Sequence, residues 1–262
     1  MEDLKKIKLF LLDMDGTIYL DNDLFDGTLD FLDYVKKIGG RYIFLTNNSS
    51  KSVDKYVEKL KSLGIDAHPD DFLTSTNATV LYLKKKKYNK IYALGTTSFK
   101  EQLKDAGLHI TDTLEENIDC LCMGFDTELT FKKLEDACIL LKNDIDYIAT
   151  NPDWVCPTWY GYVPDCGSVS QMICNATGKM PKFIGKPQPD MALLAIEKTG
   201  FTKEETAVMG DRLYTDIACG VNAGISTIFV LSGEGKIEDI EKNNAKPKYV
   251  FDNIRKLHDQ LN

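Results

Sequence analysis

The sequence predicts an α/β fold in which parallel sheets are flanked by helices, and three observations predict it. Short apolar runs recur along the 262 residues, separated by segments whose apolar residues have helical spacing. The runs lack the polar alternation of half-exposed strands, as is typical of strands buried on both faces. The alternation of strand and helix implies right-handed crossovers between parallel strands. Polar clusters close several of the runs, at the sheet edge where open α/β folds bind ligands.

The composition disfavours several classes of protein. A net charge of −8 and a pI of about 5.0 disfavour binding to nucleic acid or to an anionic membrane. The first eight residues lack the apolar segment of a signal peptide, and no apolar run approaches the ~20 residues that cross a bilayer. Seven cysteines without a Cys-x-x-Cys motif predict reduced thiols. We therefore expect a cytoplasmic protein, with Cys156 and Cys166 as its most exposed thiols.

The first apolar run, residues 9–12, leads directly into the sequence DMDGT at residues 13–17. Strand side chains two residues apart point to the same face, so Asp13 and Asp15 are expected to project together from the carboxyl end of the strand. Two adjacent carboxylates repel each other, and a hard divalent cation such as Mg²⁺ relieves that repulsion. The alternative, an Asp-Gly hairpin turn, needs only one of the two aspartates.

A helix and a second buried strand are predicted over residues 28–45, and the strand ends in Thr46-Asn47-Asn48. An amphipathic helix over residues 53–63 follows. Backbone N–H groups and hydroxyls converge where a strand end meets a helix N-terminus, and both suit a phosphate. Capping of that helix by the serines after Asn48 is expected too, but it leaves the Thr-Asn-Asn cluster unexplained.

From about residue 76 to 180 the chain repeats the alternation of strands and helices, with enough strands for a sheet of its own. Its least regular part, residues 151–167, holds three prolines and both tryptophans, Trp154 and Trp159. Long loops in compact domains are usually functional or disordered, and aromatic content argues against disorder. Packing of these aromatics on their own domain and contact with a substrate remain equal alternatives.

Two further strand ends carry charged residues. Lys186 follows a short strand and is framed by glycine and proline, which suits a fixed cation for phosphate oxygens. After a helix over 191–199, a strand at 206–209 ends in Gly210 and then Asp211, a carboxylate at a strand end once more. Asp216, five residues later, could equally begin the next helix. Strands at 227–231 and 249–251 and a terminal helix complete the prediction.

The order of these motifs at strand ends resembles that of phosphatases of the haloacid dehalogenase superfamily. The Thr-Asn-Asn motif and the long insertion before Lys186 are similar to the NagD/para-nitrophenyl phosphatase subfamily, which has a type C2 cap. The resemblance covers essentially the whole chain. It implies a Rossmann-like core over residues 1–77 and 181–262, with an inserted α/β cap domain over 78–180. The hinge strands would lie at 76–78 and 178–182.

The resemblance also implies a magnesium-dependent phosphomonoester hydrolase that acts through an aspartyl-phosphate. Asp13 would be the nucleophile and Asp15 the general acid and base. The side chains of Asp13 and Asp211, with the backbone carbonyl of Asp15, would hold Mg²⁺. Asp216 would orient Lys186 or a metal-bound water.

The substrate-binding residues implied by the resemblance are Thr46, Asn47, Asn48, Lys186 and Asp165. Thr46 and Lys186 would also act in catalysis, because they bind the charge spread over the phosphoryl oxygens. Asp165, in the irregular loop, would help to select the substrate. Sugar phosphates, nucleotides and other small phosphomonoesters remain open as substrates, with para-nitrophenyl phosphate as an artificial one. A homodimer also remains open.

Two other functions use similar residues. A phosphotransferase or phosphomutase of the same superfamily forms the same aspartyl-phosphate. A receiver-like signalling protein also combines aspartates, Mg²⁺, a hydroxyl and a lysine, but receivers are much shorter and lack the insertion. Arg212 stands where many relatives carry asparagine, which affects the surroundings of the metal while leaving both carboxylates in place.

Overall fold

The computed structural model describes residues 2–158 and 160–262, and the chain divides into two compact units. The core unit comprises residues up to Thr46 together with Asp54–Leu73 and Lys186–Asn262. The insert unit comprises Asn47–Val53 and Thr74–Gly185. No helix in the described part of the chain has the length and apolar composition needed to cross a membrane.

The strands in chain order are β1 (Leu9–Leu12), β2 (Tyr19–Leu20), β3 (Asp23–Leu24), β4 (Arg41–Thr46), β5 (Phe72–Thr74), β6 (Ile91–Leu94), β7 (Ile110–Thr111), β8 (Cys120–Met123), β9 (Asp146–Ala149), β10 (Val155–Thr158), β11 (Gly161–Pro164), β12 (Lys182–Phe183), β13 (Thr206–Gly210), β14 (Ser226–Val230) and β15 (Tyr249–Phe251).

The α-helices in chain order are α1 (Thr28–Lys37), α2 (Val53–Ser62), α3 (Ser75–Lys86), α4 (Thr97–Asp105), α5 (Phe131–Leu140), α6 (Cys166–Thr177), α7 (Asp190–Thr199), α8 (Ala218–Ala223), α9 (Asp239–Lys242) and α10 (Ile254–Leu261).

The main sheet of the core unit has six strands in the order β15-β14-β13-β1-β4-β5. Strand β1 is fully buried and pairs in parallel with β13 on one side and β4 on the other, as its apolar sequence predicts. The chain passes from β1 to β4 and later returns with β13 on the opposite side of β1. The strand order therefore reverses at β1, and ligands bind outside the carboxyl ends of strands at such a point.

The sheet of the insert unit has five strands in the order β12-β9-β8-β6-β7, and all of its recorded pairings are parallel. Helices α5 and α6 contribute to its apolar core through residues such as Ala137 and Ile173, which pack with Leu121 of β8. A separate antiparallel hairpin is formed by β10 and β11. The predicted fold class, an α/β fold with parallel sheets flanked by helices, is confirmed.

Several predictions of local structure were wrong. The stretch expected to be irregular holds the β10–β11 hairpin, and Trp159 of that stretch lies outside the described residues. The first expected hinge strand, residues 76–78, is helical and belongs to α3, because Thr74 caps the helix through the backbone N–H of Asn77. Cys166, expected to be exposed, is buried at the start of α6.

The two compact units change over at slightly different positions from the predicted domains. Strand β12 pairs with β9, so the second changeover falls at residues 185/186 and not at 180/181. The first falls at 73/74 and not at 77/78. The segment Asn47–Val53 also groups with the insert unit, because Ser49 donates to or accepts from Thr150 at 2.9 Å and its Oγ accepts from the backbone N–H of Phe125. The domain assignment itself stays a prediction.

Candidate active site

Three adjacent strands place the site at the carboxyl edge of the core sheet. Asp13 follows β1, Thr46 ends β4, and Asp211 follows β13. The backbone N–H of Asp13 donates to the carbonyl of Met209 at 2.9 Å, which extends the pairing of β1 and β13 beyond the last residue of β1. These three residues are far apart in the sequence. The parallel pairing of their strands brings them to the same edge of the sheet.

Lys186 lies at the centre of the site with its side chain only 3% exposed. Its Nζ donates to Asp13 Oδ1 at 2.5 Å, to Asp216 Oδ1 at 2.7 Å and to the carbonyl of Leu45 at 3.2 Å. These three acceptors match the three N–H donors of an ammonium group. Burial lowers the pKa of Lys186, but the two carboxylates raise it by more, so the net shift is upward and the side chain stays charged.

Asp216 reaches the lysine because the chain widens into a π turn over Leu213–Ile217. The carbonyl of Arg212 accepts from the backbone N–H groups of both Asp216 and Ile217, at 3.0 and 3.2 Å. The Oδ2 of Asp216 accepts from the backbone N–H of Arg212 at 3.1 Å. A Cβ on Gly210 would lie 2.3 Å from the Cβ of Asp216, so this return of the chain requires glycine at the end of β13. Such π turns often occur at functional sites.

Asp211 is buried and held on one side only. Its Oδ2 accepts from the backbone N–H of Glu234 at 2.7 Å, and its carbonyl accepts from that of Gly235 at 3.0 Å. A Cβ on Gly233 would lie 2.0 Å from Oδ2, so this loop also depends on glycine. The other oxygen, Oδ1, is buried and has no hydrogen-bond partner among the residues that the structure describes. Leaving a carboxylate oxygen in this state is unfavourable unless a ligand completes it.

The donor set fits a divalent cation. Oxygens of Asp13, Asp211 and Asp216 lie within 4.8 Å of one another, and two of the three carboxylates, those of Asp13 and Asp216, share the ammonium group of Lys186. Burial, with the negative charge of Asp216, raises the pKa of Asp13 well above its usual range and that of Asp211 to about 6. Both shifts express excess negative charge in a dry site, which a hard cation with oxygen ligands would offset.

Asp15 differs from these buried carboxylates, because its side chain is 53% exposed. Its Oδ2 accepts from the hydroxyl of Tyr19 at 3.3 Å, and its Oδ1 lies 3.8 Å from Nζ of Lys59. Thr46 is buried at the end of β4, beside the strand that carries Asp13. Asp15 is thus placed two residues beyond Asp13, with its carboxyl group open to solvent.

The remaining predicted residues belong to the insert unit. The carbonyl of Asn47 accepts from Ser75 Oγ at 2.6 Å, and Asn48 Oδ1 accepts from the backbone N–H and the hydroxyl of Ser50. Asp165 is buried, caps α6 through the backbone N–H of Cys166, and accepts from an asparagine amide at 3.2 Å. These contacts give structural tasks to the Asn47 backbone and to the side chains of Asn48 and Asp165, and the role of the three residues in substrate binding stays a prediction.

Sequence reasoning missed the loop that holds Asp211. Arg212 Nε lies 2.9 Å from Glu234 Oε2, and the hydroxyl of Tyr214 donates to the same carboxylate at 3.2 Å. Ser232 Oγ donates to the carbonyl of Gly16 at 2.7 Å, which ties the loop to the turn after Asp13. The sequence Ser-Gly-Glu-Gly at residues 232–235 was the available signal, because two closely spaced glycines after a strand indicate close backbone approach.

Comparison with known proteins supports the same class of site. Family models for haloacid dehalogenase-like hydrolases and HAD-hydrolase-like proteins match residues 10–109 and 183–257. The acid sugar phosphatase of Staphylococcus aureus strain MRSA252 is 36% identical over 98% of this chain and 99% of its own. The 4-nitrophenylphosphatase of Thermotoga maritima superposes with a TM-score of 0.93 at 44% identity, over 99% of each chain.

A third relative has been solved with a metal. The glycerol phosphate phosphatase of Mycobacterium tuberculosis, in complex with magnesium, superposes with a TM-score of 0.91 at 27% identity, over 98% of this chain and 78% of its own. The fold and the carboxylate site define an enzyme of the hydrolase class. The chain belongs to the haloacid dehalogenase-like hydrolase family, and its structural neighbours place it in the NagD-like, nitrophenylphosphatase branch.

Proposed function

We propose that this protein is a magnesium-dependent phosphatase of small phosphomonoesters, sugar phosphates among them, that works through an aspartyl-phosphate on Asp13. The observation that carries the proposal is the cluster of Asp13, Asp211 and Asp216 around the buried ammonium of Lys186, with one oxygen of Asp211 unpartnered among the described residues. The names of its relatives, acid sugar phosphatase and 4-nitrophenylphosphatase, support the substrate class.

The reaction has two halves. A carboxylate oxygen of Asp13 attacks phosphorus, the bond from phosphorus to the ester oxygen breaks, and Asp15 gives its proton to the leaving alkoxide. A water molecule then attacks the phosphorus of the aspartyl-phosphate while Asp15 takes a proton from it, which releases inorganic phosphate and restores Asp13. The exposed carboxyl group of Asp15 suits proton exchange with a leaving group and with water.

Positioning and charge supply most of the catalysis in phosphoryl transfer. Lys186 is fixed by three acceptors, so its charge is in place before the substrate arrives. Asp216, which is buried and bonded to Lys186, orients that ammonium group. Thr46, at the end of the neighbouring strand, is proposed to bind a phosphoryl oxygen, with Asn47 and Asn48 next to it in the chain.

Mg²⁺ would be held by the side chains of Asp13 and Asp211 and the backbone carbonyl of Asp15. When bound, the ion offsets the repulsion between the carboxylate nucleophile and the anionic phosphate. Asp216 is a weaker candidate for direct ligation, because both of its oxygens already accept hydrogen bonds. The magnesium complex of the mycobacterial relative supports the choice of ion. A cytoplasmic location and a homodimer stay predictions.

The test is phosphate release from a panel of phosphomonoesters with and without Mg²⁺, for the wild type, Asp13→Asn and the control Asp33→Asn. Asp33 is an exposed aspartate on α1, so its substitution makes the same chemical change away from the site. We expect magnesium-dependent turnover that Asp13→Asn lowers by about 10⁴-fold or more, since the nucleophile is lost. Asp33→Asn should retain the wild-type rate.

Turnover that persists in Asp13→Asn, or that needs no divalent cation, would refute the proposed mechanism. Transfer of the phosphoryl group to a sugar rather than to water would indicate a phosphomutase instead.

A further inference from the structure

The half-exposed carboxyl group of Asp15 has an arranged environment that the reaction described above does not use. Tyr19 and Lys59 flank its two oxygens, with the tyrosine hydroxyl 3.3 Å from Oδ2 and the lysine Nζ 3.8 Å from Oδ1. The same Nζ lies 3.8 Å from the centroid of the Tyr19 ring. The three side chains therefore form one cluster, defined here as the Asp15 cluster, within the core unit.

Tyr19 is the rigid member of the cluster. Its side chain is fully buried, and its backbone carbonyl accepts from the N–H of Gly16 at 2.8 Å, which closes the turn that follows Asp15. The preceding carbonyl, that of Ile18, accepts from Thr28 Oγ1 at 3.0 Å and fastens the turn to α1. The hydroxyl that meets Asp15 is thus held in place by packing and by backbone hydrogen bonds.

Lys59 is more buried and has more contacts than Lys55, a surface lysine of the same helix. Its side chain is 26% exposed and its ammonium group lies over an aromatic face, an arrangement that is attractive for a cation. Lys55, one turn earlier on α2, is 65% exposed and pairs with Glu58 in solvent. The position of Lys59 near Asp15 therefore needs an explanation beyond helix solubility.

We propose that Tyr19 and Lys59 are positioning residues for Asp15, which hold its carboxyl group in one orientation for proton transfer to the leaving group. This inference rests on the proposed function. When Asp15 gives up its proton, negative charge develops on its oxygens, and a fixed hydroxyl dipole and a fixed cation stabilise that charge. Without them a half-exposed carboxyl group samples several rotamers, so fewer are aligned with the leaving oxygen.

Leaving-group chemistry provides the test. A p-nitrophenolate leaves readily without a proton, whereas an alkoxide requires one, so a misaligned acid slows alkyl esters selectively. The experiment compares kcat and KM for p-nitrophenyl phosphate and glycerol phosphate at saturating Mg²⁺. The variants are Lys59→Met, Lys59→Arg, Tyr19→Phe, the reference Asp15→Asn and the matched control Lys55→Met. Thermal unfolding of each variant is measured alongside.

We expect Lys59→Met and Tyr19→Phe to lower kcat/KM, which reports formation of the aspartyl-phosphate and not its hydrolysis, by about tenfold or more for glycerol phosphate and by a much smaller factor for p-nitrophenyl phosphate. Lys59→Arg should restore most of the alkyl ester activity, because it restores the cation. Asp15→Asn should show the same selectivity in a stronger form, and Lys55→Met should change neither substrate. If Tyr19→Phe fails to fold, the two Lys59 variants still decide the question.

An equal loss of kcat/KM on both substrates would overturn the inference and indicate a general structural or substrate-binding role. If Asp15→Asn itself shows no leaving-group selectivity, or if the wild type hydrolyses neither ester, the proposed function fails instead. The two failures are therefore distinguishable.

Discussion

Buried carboxylates in the two units of this chain differ in how completely they are neutralised. In the insert unit, Asp126 accepts from Lys133 Nζ at 2.8 Å and from a backbone N–H at 2.9 Å, one on each oxygen. Asp136 there accepts from Tyr92 and Lys132, again one on each oxygen. In the core unit Asp13 and Asp216 share one lysine, and the neighbouring Asp211 keeps one buried oxygen without a partner among the described residues.

The difference separates carboxylates that stabilise a fold from carboxylates that await a ligand. A buried charge is tolerable when paired and hydrogen-bonded, and Asp126 and Asp136 of the insert unit meet that condition. The carboxylates of the core unit do not meet this condition. Their arrangement lowers stability, and such unfavourable clusters of charge are typical of functional sites. Substitutions that change the number of charges in one unit or the other can test this contrast.

The largest effect is expected from removing the lysine of each unit. Lys186→Met removes the cation that both Asp13 and Asp216 contact, so we expect a loss of about 3–5 kcal/mol in the free energy of unfolding and at least a 10²-fold loss in kcat. Lys133→Met should also destabilise, because Asp126 then lacks its cation, but kcat per folded molecule should stay close to wild type. Urea unfolding and phosphate release measure the two quantities. Equal kinetic losses in both variants would remove the distinction between the units.

A smaller effect is expected for Asp211→Asn in the metal-free protein, where the substitution should raise the free energy of unfolding at neutral pH. The folded pKa of Asp211, about 6, lies above the usual aspartate value, so the folded state binds more protons between those two pH values. The contribution of Asp211 should therefore lower wild-type stability by up to about 3 kcal/mol as pH rises from about 4 to 7. Asp211→Asn should remove that contribution and leave the one due to the raised pKa of Asp13.

At pH 7 without metal, Asp211→Asn should be more stable than the wild type. Addition of Mg²⁺ should reverse this order of stability. The wild type should gain stability from the ion, and the variant should gain little, since its best ligand is lost. Thermal unfolding across pH 4–8, with and without the ion, measures both effects. A variant that is less stable than wild type without metal at pH 7 would contradict the interpretation of Asp211 as strained by excess charge.

The smallest effects are expected from replacing one glycine in each unit by alanine. Gly233→Ala places a Cβ 2.0 Å from Asp211 Oδ2, so the Asp211 side chain must shift and we expect Mg²⁺ affinity to fall by about 10–100-fold. Gly178→Ala, at the C-cap of α6 in the insert unit, meets no atom within 4 Å but has φ of +74°. It should cost about 1 kcal/mol in stability and leave Mg²⁺ affinity unchanged. Isothermal titration calorimetry measures the Mg²⁺ affinity of both variants. Equal affinities would show that the loop at Gly233 can rearrange to accept the added Cβ.

The sequence by itself determined the strands that end in functional residues. The apolar run before Asp13 and the runs before Thr46 and Asp211 are long enough and apolar enough to require burial on both faces, so a parallel sheet follows from local pattern. The motifs at those strand ends also identified the family. Short strands such as β5 and β7 were missed, because two or three residues carry too little periodic signal.

Only the tertiary structure decided which charges meet. Lys186 and Asp13 are 173 residues apart in the chain, and their contact at 2.5 Å depends on strand pairing that no local pattern specifies. The same holds for Asp165, whose hydrogen bond from an asparagine amide 14 residues away depends on the fold, and for Lys59, whose approach to Asp15 depends on how α2 packs. Local sequence fixes the period and the ends of an element, whereas side-chain partners are set by long-range packing, where pairing and burial outweigh local preference.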